Sequence, residues 1–300
     1  MSDIDIFHHV GLITRDMAQL IARYEELGFM FAPLSMPRIV LTPGGAPEPL
    51  GAGNRHAIFA DNYLEVLGVV DAARWASITK AQRGAFDIDP PLARYEGLHV
   101  MHFGTDDIEA VERRYRAAGV ASGDIVPFQR NVEAPDGPQM MRARCISLMQ
   151  HDLPSLSQIA QTLTPELVLQ PRYQRHRNGA RSIREVILCH PAPGKIAATY
   201  AQIAGHPAER RGDDFVIDLG RGRLTVVAPG RLGALIPGAT PPTLPYLAGF
   251  AVTVDDLGQP RAVLRDAGVS FVEHGGSLIV AAKDACGCAV LFEKVGVRDE

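Results

Sequence analysis

Long apolar runs are absent from this sequence. No stretch approaches the ~18–20 residues that a membrane span needs, so no contact with a membrane is expected. Excess charge is absent too. With 30 Lys and Arg against 34 Asp and Glu, the formal net charge is -4, and nothing draws the whole chain to nucleic acid. One Trp and 6% aromatic residues leave little material for stacking bases. The four cysteines include no C-x-x-C pair. Cys145 and Cys189 lie in apolar stretches and read as small buried hydrophobes. Cys286 and Cys288 form C-x-C with no second pair to complete a zinc site. The opening Met1-Ser2-Asp3-Ile4-Asp5 has neither the basic nor the apolar part of a secretory signal, so the cytoplasm is the expected location. Phosphate-binding loops are missing as well. Gly44-Gly45-Ala46 and Gly220-Arg221-Gly222 read as hairpin-type turns, without the G-x-G-x-x-G or Walker spacing.

What remains is the composition of an ordinary globular protein, 46% hydrophobic and 21% charged. Its length suits one or two domains with proper cores. Within it one unit recurs four times: an apolar strand, a capping residue, a helix ended by glycine, then further strands. The first copy starts at Phe7 to Thr14, with Asp16 as N-cap, an apolar face at Met17, Leu20, Ile21 and Tyr24, and Gly28 as the stop. The second starts at His99 to Thr105, with Asp107 and Gly119 in the same roles. The third starts at Ile183 to Cys189 and its helix ends at Gly205. The fourth starts at Leu247 to Val254, with Asp256 as cap and Gly268 as stop. Strand-like pieces follow the helices, among them His56 to Phe59, Tyr63 to Leu67, Leu224 to Val227 and Ala289 to Phe292. The unit reads β-α-β-β-β. One such unit cannot bury its own sheet face, so the units are expected to pair. The stretch from Gln170 to Arg181 holds Arg172, Arg175, His176, Arg177 and Arg181. It reads as a solvated connection between two halves, with an anion clamp as the other reading.

Three motifs carry a resemblance. They are Phe7-His8-His9-Val10-Gly11-Leu12 running into Asp16; Gly53-Asn54-Arg55-His56 through Asp61-Asn62-Tyr63-Leu64-Glu65-Val66; and His176-Arg177-Asn178-Gly179-Ala180. In this order they resemble the vicinal oxygen chelate superfamily, in its glyoxalase-like branch. The resemblance implies an α+β fold of four βαβββ modules paired into two cupped mixed sheets. The expected layout is an N-terminal half over 1–170, a linker over 171–181 and a C-terminal half over 182–300. It also implies a divalent metal in the cup, Zn, Mn, Ni or Fe, held by side chains from the first and last strands of paired modules.

His9, seven residues before Asp16, matches the first ligand position of that family. Glu65 matches the last-strand ligand of the same module, and it is also the expected catalytic proton shuttle. Glu65 shares its strand face with Tyr63, and if that face lines the cup the charge must be paired or metal-bound. The second module departs from the pattern. Seven residues before Asp107 stands Val100. His102 is in phase with Val100 and is the expected substitute, whereas His99 would need a bulge to reach the same face. The last strand of this module offers Thr162, with Gln161 beside it, where the family often has a histidine. In the second half, Glu185 and Glu293 fall near ligand positions and Gly249 cannot ligate, so that half reads as mainly structural. Tyr63, Arg142 and Arg144 are the expected substrate contacts. Arg130 flanks the same turn-rich loop, and an Arg there could pair bidentately with a substrate carboxylate.

The leading expectation is a metal-dependent lyase or isomerase of glyoxalase type. It would act on a small oxygen-rich metabolite, with His9, Glu65 and His102 as ligands. Val100 and Thr162 favour a metal-free binding or resistance-type protein instead. An extradiol dioxygenase is a third reading, since two His and one Glu suit iron. The expected partners are the small-molecule substrate and, for assembly, a second copy of the chain.

Overall fold

Each repeat folds so that its last strand returns parallel to its first. The computed structural model describes residues 3–36, 38–41, 44–150 and 152–296. The first unit opens with β1 (Ile6–Thr14) and α1 (Met17–Glu26). Asp16 caps α1 by accepting from the Gln19 N–H, and Met17, Leu20, Ile21 and Tyr24 are buried against the sheet. The pieces β2 (Arg38–Ile39) and β3 (Glu48–Pro49) form a separate hairpin. Then β4 (Ala52–Ile58) turns into β5 (Tyr63–Val69), which pairs parallel with β1. The short helices α2 (Ala72–Ser77), α3 (Lys80–Arg83) and α4 (Asp89–Arg94) lead to the second unit. That unit is β6 (Gly97–Gly104), α5 (Ile108–Ala118), β7 (Ser122–Ala134), β8 (Gly137–Leu148) and β9 (Gln158–Thr162), with β9 parallel to β6.

After α6 (Pro165–Val168), the third unit runs β10 (Ser182–Cys189), α7 (Pro193–Ala204), β11 (Ala208–Arg211), β12 (Asp214–Asp218) and β13 (Arg223–Val227). A turn of helix, α8 (Leu232–Leu235), precedes the fourth: β14 (Tyr246–Val254), α9 (Gly258–Asp266), β15 (Val272–His274), β16 (Ser277–Val280) and β17 (Ala289–Lys294). Again β13 returns parallel to β10 and β17 to β14.

Pairing joins the units through their first strands, β1 against β6 and β10 against β14, both antiparallel. Two runs result, β4-β5-β1-β6-β9-β8-β7 and β11-β12-β13-β10-β14-β17-β16-β15. These are the two sides expected from the sequence, with one difference. Leu98 of β6 pairs with Leu247 of β14, so 15 strands among the described residues form one continuous sheet.

The core crosses the same boundary. One cluster of buried side chains holds Tyr24 and Phe103 from the first half with Tyr200, Phe250 and Phe292 from the second. The Phe29 and Phe292 rings stack with centroids 6.0 Å apart. Asn62, 1% exposed, pairs like a strand residue with Ile183, donating to its carbonyl and accepting from its N–H at 2.9 Å each.

In the basic stretch around residue 176, Arg175, Arg177 and Arg181 are exposed as expected, but the turn between them is packed. His176 and Asn178 are buried. His176 Nδ1 accepts from the Met30 N–H while its Nε2 faces the Ile58 carbonyl, and the Asn178 amide donates to the Leu27 carbonyl. Its arginines cap carbonyls or pair locally, Arg177 on Glu25 and Arg181 with Asp255. No backbone polar group of a buried segment tolerates being left unpaired, and this turn supplies those partners at the end of α1.

In the second half, Glu185 and Glu293 are both buried and share the Arg223 guanidinium at 2.9 and 3.1 Å. The Thr225 and Ser277 hydroxyls also donate to them. Burial of two carboxylates is offset here by charge-assisted hydrogen bonds, in keeping with a structural role.

Candidate functional site

The first half gathers its chemistry where β1, β6, β5 and β4 lie side by side. Register explains the gathering. His9 stands opposite His102 in the antiparallel pair and beside Tyr63 in the parallel one. Across the β4–β5 hairpin, His56 stands opposite Glu65. Between Phe7 and His9 the register slips by one residue, leaving His8 as a bulge in β1. A bulge places two neighbouring side chains against one on the partner strand and re-aims them. His8 and His9 therefore both meet the cup.

The contacts are close. The His9 ring stacks on Tyr63 with centroids 4.5 Å apart and meets the His102 ring edgewise at 4.2 Å. His9 Nε2 lies 3.7 Å from Glu65 Oε2, and His56 Nε2 lies 3.4 Å from Glu65 Oε1. Asn54 Nδ2 donates to Glu65 Oε1 at 2.9 Å. His8 Nδ1 is 2.8 Å from His9 Nδ1, and His8 Nε2 is 2.8 Å from Thr162 Oγ1.

Burial sets the charge states. It pushes His8 down to about 3 and His102 down to about 4, and the Glu65 carboxylate opposes it only in part. His9 and His56 are lowered by burial too, with the Arg130 charge adding to both. These imidazoles are neutral at pH 7 and carry lone pairs. Burial alone would raise Glu65. Its contact with His56, the charges that His56 and His102 take up in the acid range where a carboxyl titrates, and the charge of Arg130 outweigh that and hold its carboxyl below the usual range. Tyr63 is raised, by burial and then by Glu65, and stays a phenol.

Of the residues expected at the site, His9, Glu65, His102 and Tyr63 come together. Arg142 and Arg144 do not. Thr162 pairs with Ala143 and reaches His8, so Ala143 marks the cup face of β8. Arg142 and Arg144, one residue to either side, take the other face. Arg144 is engaged there by Glu109 of α5 and by Gln161. The arginine on the cup face is Arg130, which pairs with Met141, in phase with Ala143. Its Nη1 donates to Ser35 Oγ at 3.0 Å. A cavity of about 310 Å³ opens beside the cluster, lined by Arg130, His56, Tyr63, Ser35 and the apolar Leu34, Met36 and Ile58. Its lining also holds Asn131, Glu133 and Gln170, and concave sites of this size with convergent polar groups take small molecules.

His56 is the residue that sequence reading passed over. Its signal was the hairpin. The loop from Phe59 to Asn62 joins Ile58 and Tyr63 as a pair, and counting back two on each strand gives His56 and Glu65. Among the described residues, no three His, Cys, Asp or Glu side chains are placed to hold a metal ion together as they stand.

His99 lies outside the cup. It stacks on Tyr95 with centroids 4.0 Å apart, and its Nε2 faces the Tyr95 carbonyl at 2.9 Å. Burial, with help from Arg94, takes it down to about 4 against the pull of that carbonyl. A histidine depressed on folding binds its proton more readily when unfolded. Its contribution to stability is thus complete above about pH 6.5 and drains as pH falls toward 4. Between pH 7.5 and 5, urea unfolding should lose about 2 kcal/mol through this residue. The loss should be missing in His99→Gln. Equal pH slopes for the two proteins would refute the assignment.

No helix among the described residues is long and apolar enough to cross a membrane. No curated protein matches the sequence. Solved structures do match the fold. A hypothetical protein from Staphylococcus aureus is 12% identical over 96% of this chain and 99% of its own, with a TM-score of 0.62. The Mn(II)-bound glyoxalase from Novosphingobium aromaticivorans is 11% identical over 98% of this chain and 83% of its own, with a TM-score of 0.55. A mutant of 4-hydroxymandelate synthase from Streptomyces coelicolor is 14% identical over 98% of this chain and 92% of its own, with a TM-score of 0.54. The glyoxalase and the synthase among these neighbours have the vicinal oxygen chelate fold. The model of the glyoxalase-like domain matches residues 7–204, a span that takes in every residue of the cup, and the chain belongs to that family.

Proposed function

We propose that the cup of the first half is the active site of a glyoxalase-type lyase or isomerase that uses a divalent metal. The observation that carries this reading is the Glu65 carboxylate flanked by two neutral imidazoles, His9 at 3.7 Å and His56 at 3.4 Å. Two donors each ~2.1 Å from one ion in a tetrahedral shell lie roughly 3.4 Å apart. The donors thus suit a borderline divalent ion in kind, and each His–Glu65 separation is near that value, with the two imidazoles on different oxygens of the carboxylate. His9, Glu65 and His56 would hold it, with His102 adjoining. Bound there, the metal would supply Lewis-acid stabilisation of a carbonyl or enolate oxygen.

The chain's own residues do the rest. His56 reaches both Glu65 and the cavity. Asn54 keeps Glu65 oriented. Arg130 shares the cavity lining with the apolar Leu34, Met36 and Ile58 and with the polar Asn131 and Glu133, and its guanidinium suits a substrate with a carboxylate. A probe tests this. Wild-type protein should bind 2-oxohexanoate at least about 10-fold more tightly than its methyl ester, from the ~1.5–3 kcal/mol of a charged hydrogen bond. Arg130→Met should abolish the preference and Arg144→Met should keep it. A preference that survives Arg130→Met would reject this role.

The test of the whole reading is elemental analysis of protein purified without chelator or affinity-tag metal, beside His9→Ala and His56→Ala. Near-stoichiometric metal that both variants lose supports the site. Iron with oxygen uptake would turn the reading to a dioxygenase, whose two-His-one-carboxylate set the same side chains supply. Val100 and Thr162 at expected ligand positions favour a second reading, a metal-free binding protein. Absence of metal after incubation with Zn, Mn, Ni and Fe(II) would sink the metalloenzyme reading and leave that one as the better account.

A further inference from the structure

The basic stretch between the halves starts at the cavity wall. Its first residue, Gln170, is 7% exposed and lines the cavity with Glu133 of β7, Leu167 and Val168 of α6, and Tyr173. Its backbone is held by the turn that follows, where the Tyr173 N–H donates to the Gln170 carbonyl at 3.0 Å. Its side chain is held as well. Gln170 Nε2 donates to the Glu133 carbonyl at 2.8 Å and to the Leu167 carbonyl at 2.9 Å. Those two bonds use both amide protons. They also fix which end of the amide is which, since the reverse orientation would set its oxygen against two carbonyl oxygens. Gln170 Oε1 is buried, and no protein donor among the described residues meets it. A buried acceptor is costly to leave without a donor. With Nε2 turned to β7 and α6, the oxygen is the polar end of Gln170 left for the cavity that the residue lines.

We propose that Gln170 Oε1 accepts a hydrogen bond from the bound substrate, which therefore carries an O–H or N–H group at the end remote from its carboxylate. The cavity has the layout for such a molecule. Arg130 is bonded to Ser35, and both line the cavity. Gln170 is tied to the Glu133 carbonyl, three residues further along β7 and so roughly 10 Å from Arg130 along the strand. Leu34, Met36, Val132 and Val168 add apolar lining. The substrate class is a carboxylic acid with an apolar chain and a terminal hydrogen-bond donor. Its carboxylate end rests on the function proposed above, but the Gln170 contact does not.

Calorimetric titration of the protein as purified reads the contact, and it needs neither metal nor turnover. The probes are straight-chain acids of about four to ten carbons. One series ends in a hydroxyl and the other in fluorine, which is close to the hydroxyl in size and donates nothing. At one chain length the hydroxy acid should bind at least about 5-fold more tightly than its fluoro partner. Gln170→Met should bring the two within about 2-fold of each other. The wild-type ratio carries the test if that variant fails to fold. Ratios within about 2-fold at every length in wild type, a preference that persists in Gln170→Met, or no binding of any hydroxy acid up to about 10 mM would overturn the proposal and leave Oε1 to solvent. Methyl esters separate the two ends. A hydroxyl preference that survives esterification without loss of affinity keeps the Gln170 contact and rejects Arg130 as the carboxylate anchor. A preference for acid over ester without one for hydroxyl over fluorine does the reverse.

Discussion

Glu65→Gln is expected to weaken divalent-metal affinity by at least about 100-fold, or ~2.7 kcal/mol, while leaving the fold intact. Glu65 is the point on which the cup's contacts meet: Asn54 on one oxygen, His56 beside it and His9 opposite the other oxygen. Glutamine keeps the volume and can still accept from Asn54. It removes the charge and replaces one oxygen by an NH2 group, which donates and does not ligate. Stability should fall only modestly. The folded cup holds the Glu65 carboxyl below its usual range, so its charge adds to stability at pH 7 and that contribution is lost in the variant. A loss of affinity far larger than the loss of stability marks a residue kept for chemistry rather than for packing. Competition of Zn(II) or Mn(II) against a chelating dye reads the first, and urea unfolding of metal-free protein reads the second. Affinity within about 3-fold of wild type would remove Glu65 from the site.

Much of this arrangement is legible in the sequence, and the reasons for the gaps are geometric. The fourfold unit shows because strand and helix periodicities alternate regularly, and a parallel return needs a crossover that a helix supplies. His9, Glu65 and His102 are found by counting along strands, since their phase survives any small error in strand ends. His8 is hidden because a bulge breaks the phase, and nothing in an apolar His-His strand signals where the extra residue falls. The arginines fail for a related reason. A shift of one residue turns every side chain of a strand to the other face, and the β7–β8 register alone decides that Arg130, rather than Arg142 or Arg144, looks inward. The packed turn at His176 and Asn178 is read as solvated because its charges are visible and its buried partners, Met30 and Leu27, are distant in sequence.

The seam between the halves gives the largest expected loss of stability, through Gly287→Ala. Gly287 sits at φ +88, and a Cβ there would lie 2.0 Å from the Glu96 carbonyl oxygen. Across the same contact, a Cβ on Gly97 would lie 2.4 Å from the Gly287 carbonyl oxygen. Two backbones touch, and neither neighbour is a flexible side-chain end that can swing away. Relief means parting the start of β6 from the turn before β17. The anchors of that turn go with it: Tyr246 Oη to the Gly287 carbonyl at 2.7 Å, Tyr24 Oη to the Ala285 carbonyl at 3.2 Å and Arg23 to the Asp284 carbonyl at 2.6 Å. The expected cost is above about 3 kcal/mol, strain and lost buried hydrogen bonds together. Two controls separate the causes. Gly212→Ala, at φ +64 with nothing near its Cβ, should cost only about 1–2 kcal/mol of backbone strain. Gly230→Ala, also in open space and without a left-handed backbone, should be close to neutral. Because one core spans both halves, the loss in Gly287→Ala should appear as one shifted urea transition, seen alike by Trp75 fluorescence from the first half and by overall circular dichroism. A second-half transition that moves alone, with the Trp75 signal unchanged, would mean that the shared sheet and core do not couple the two halves.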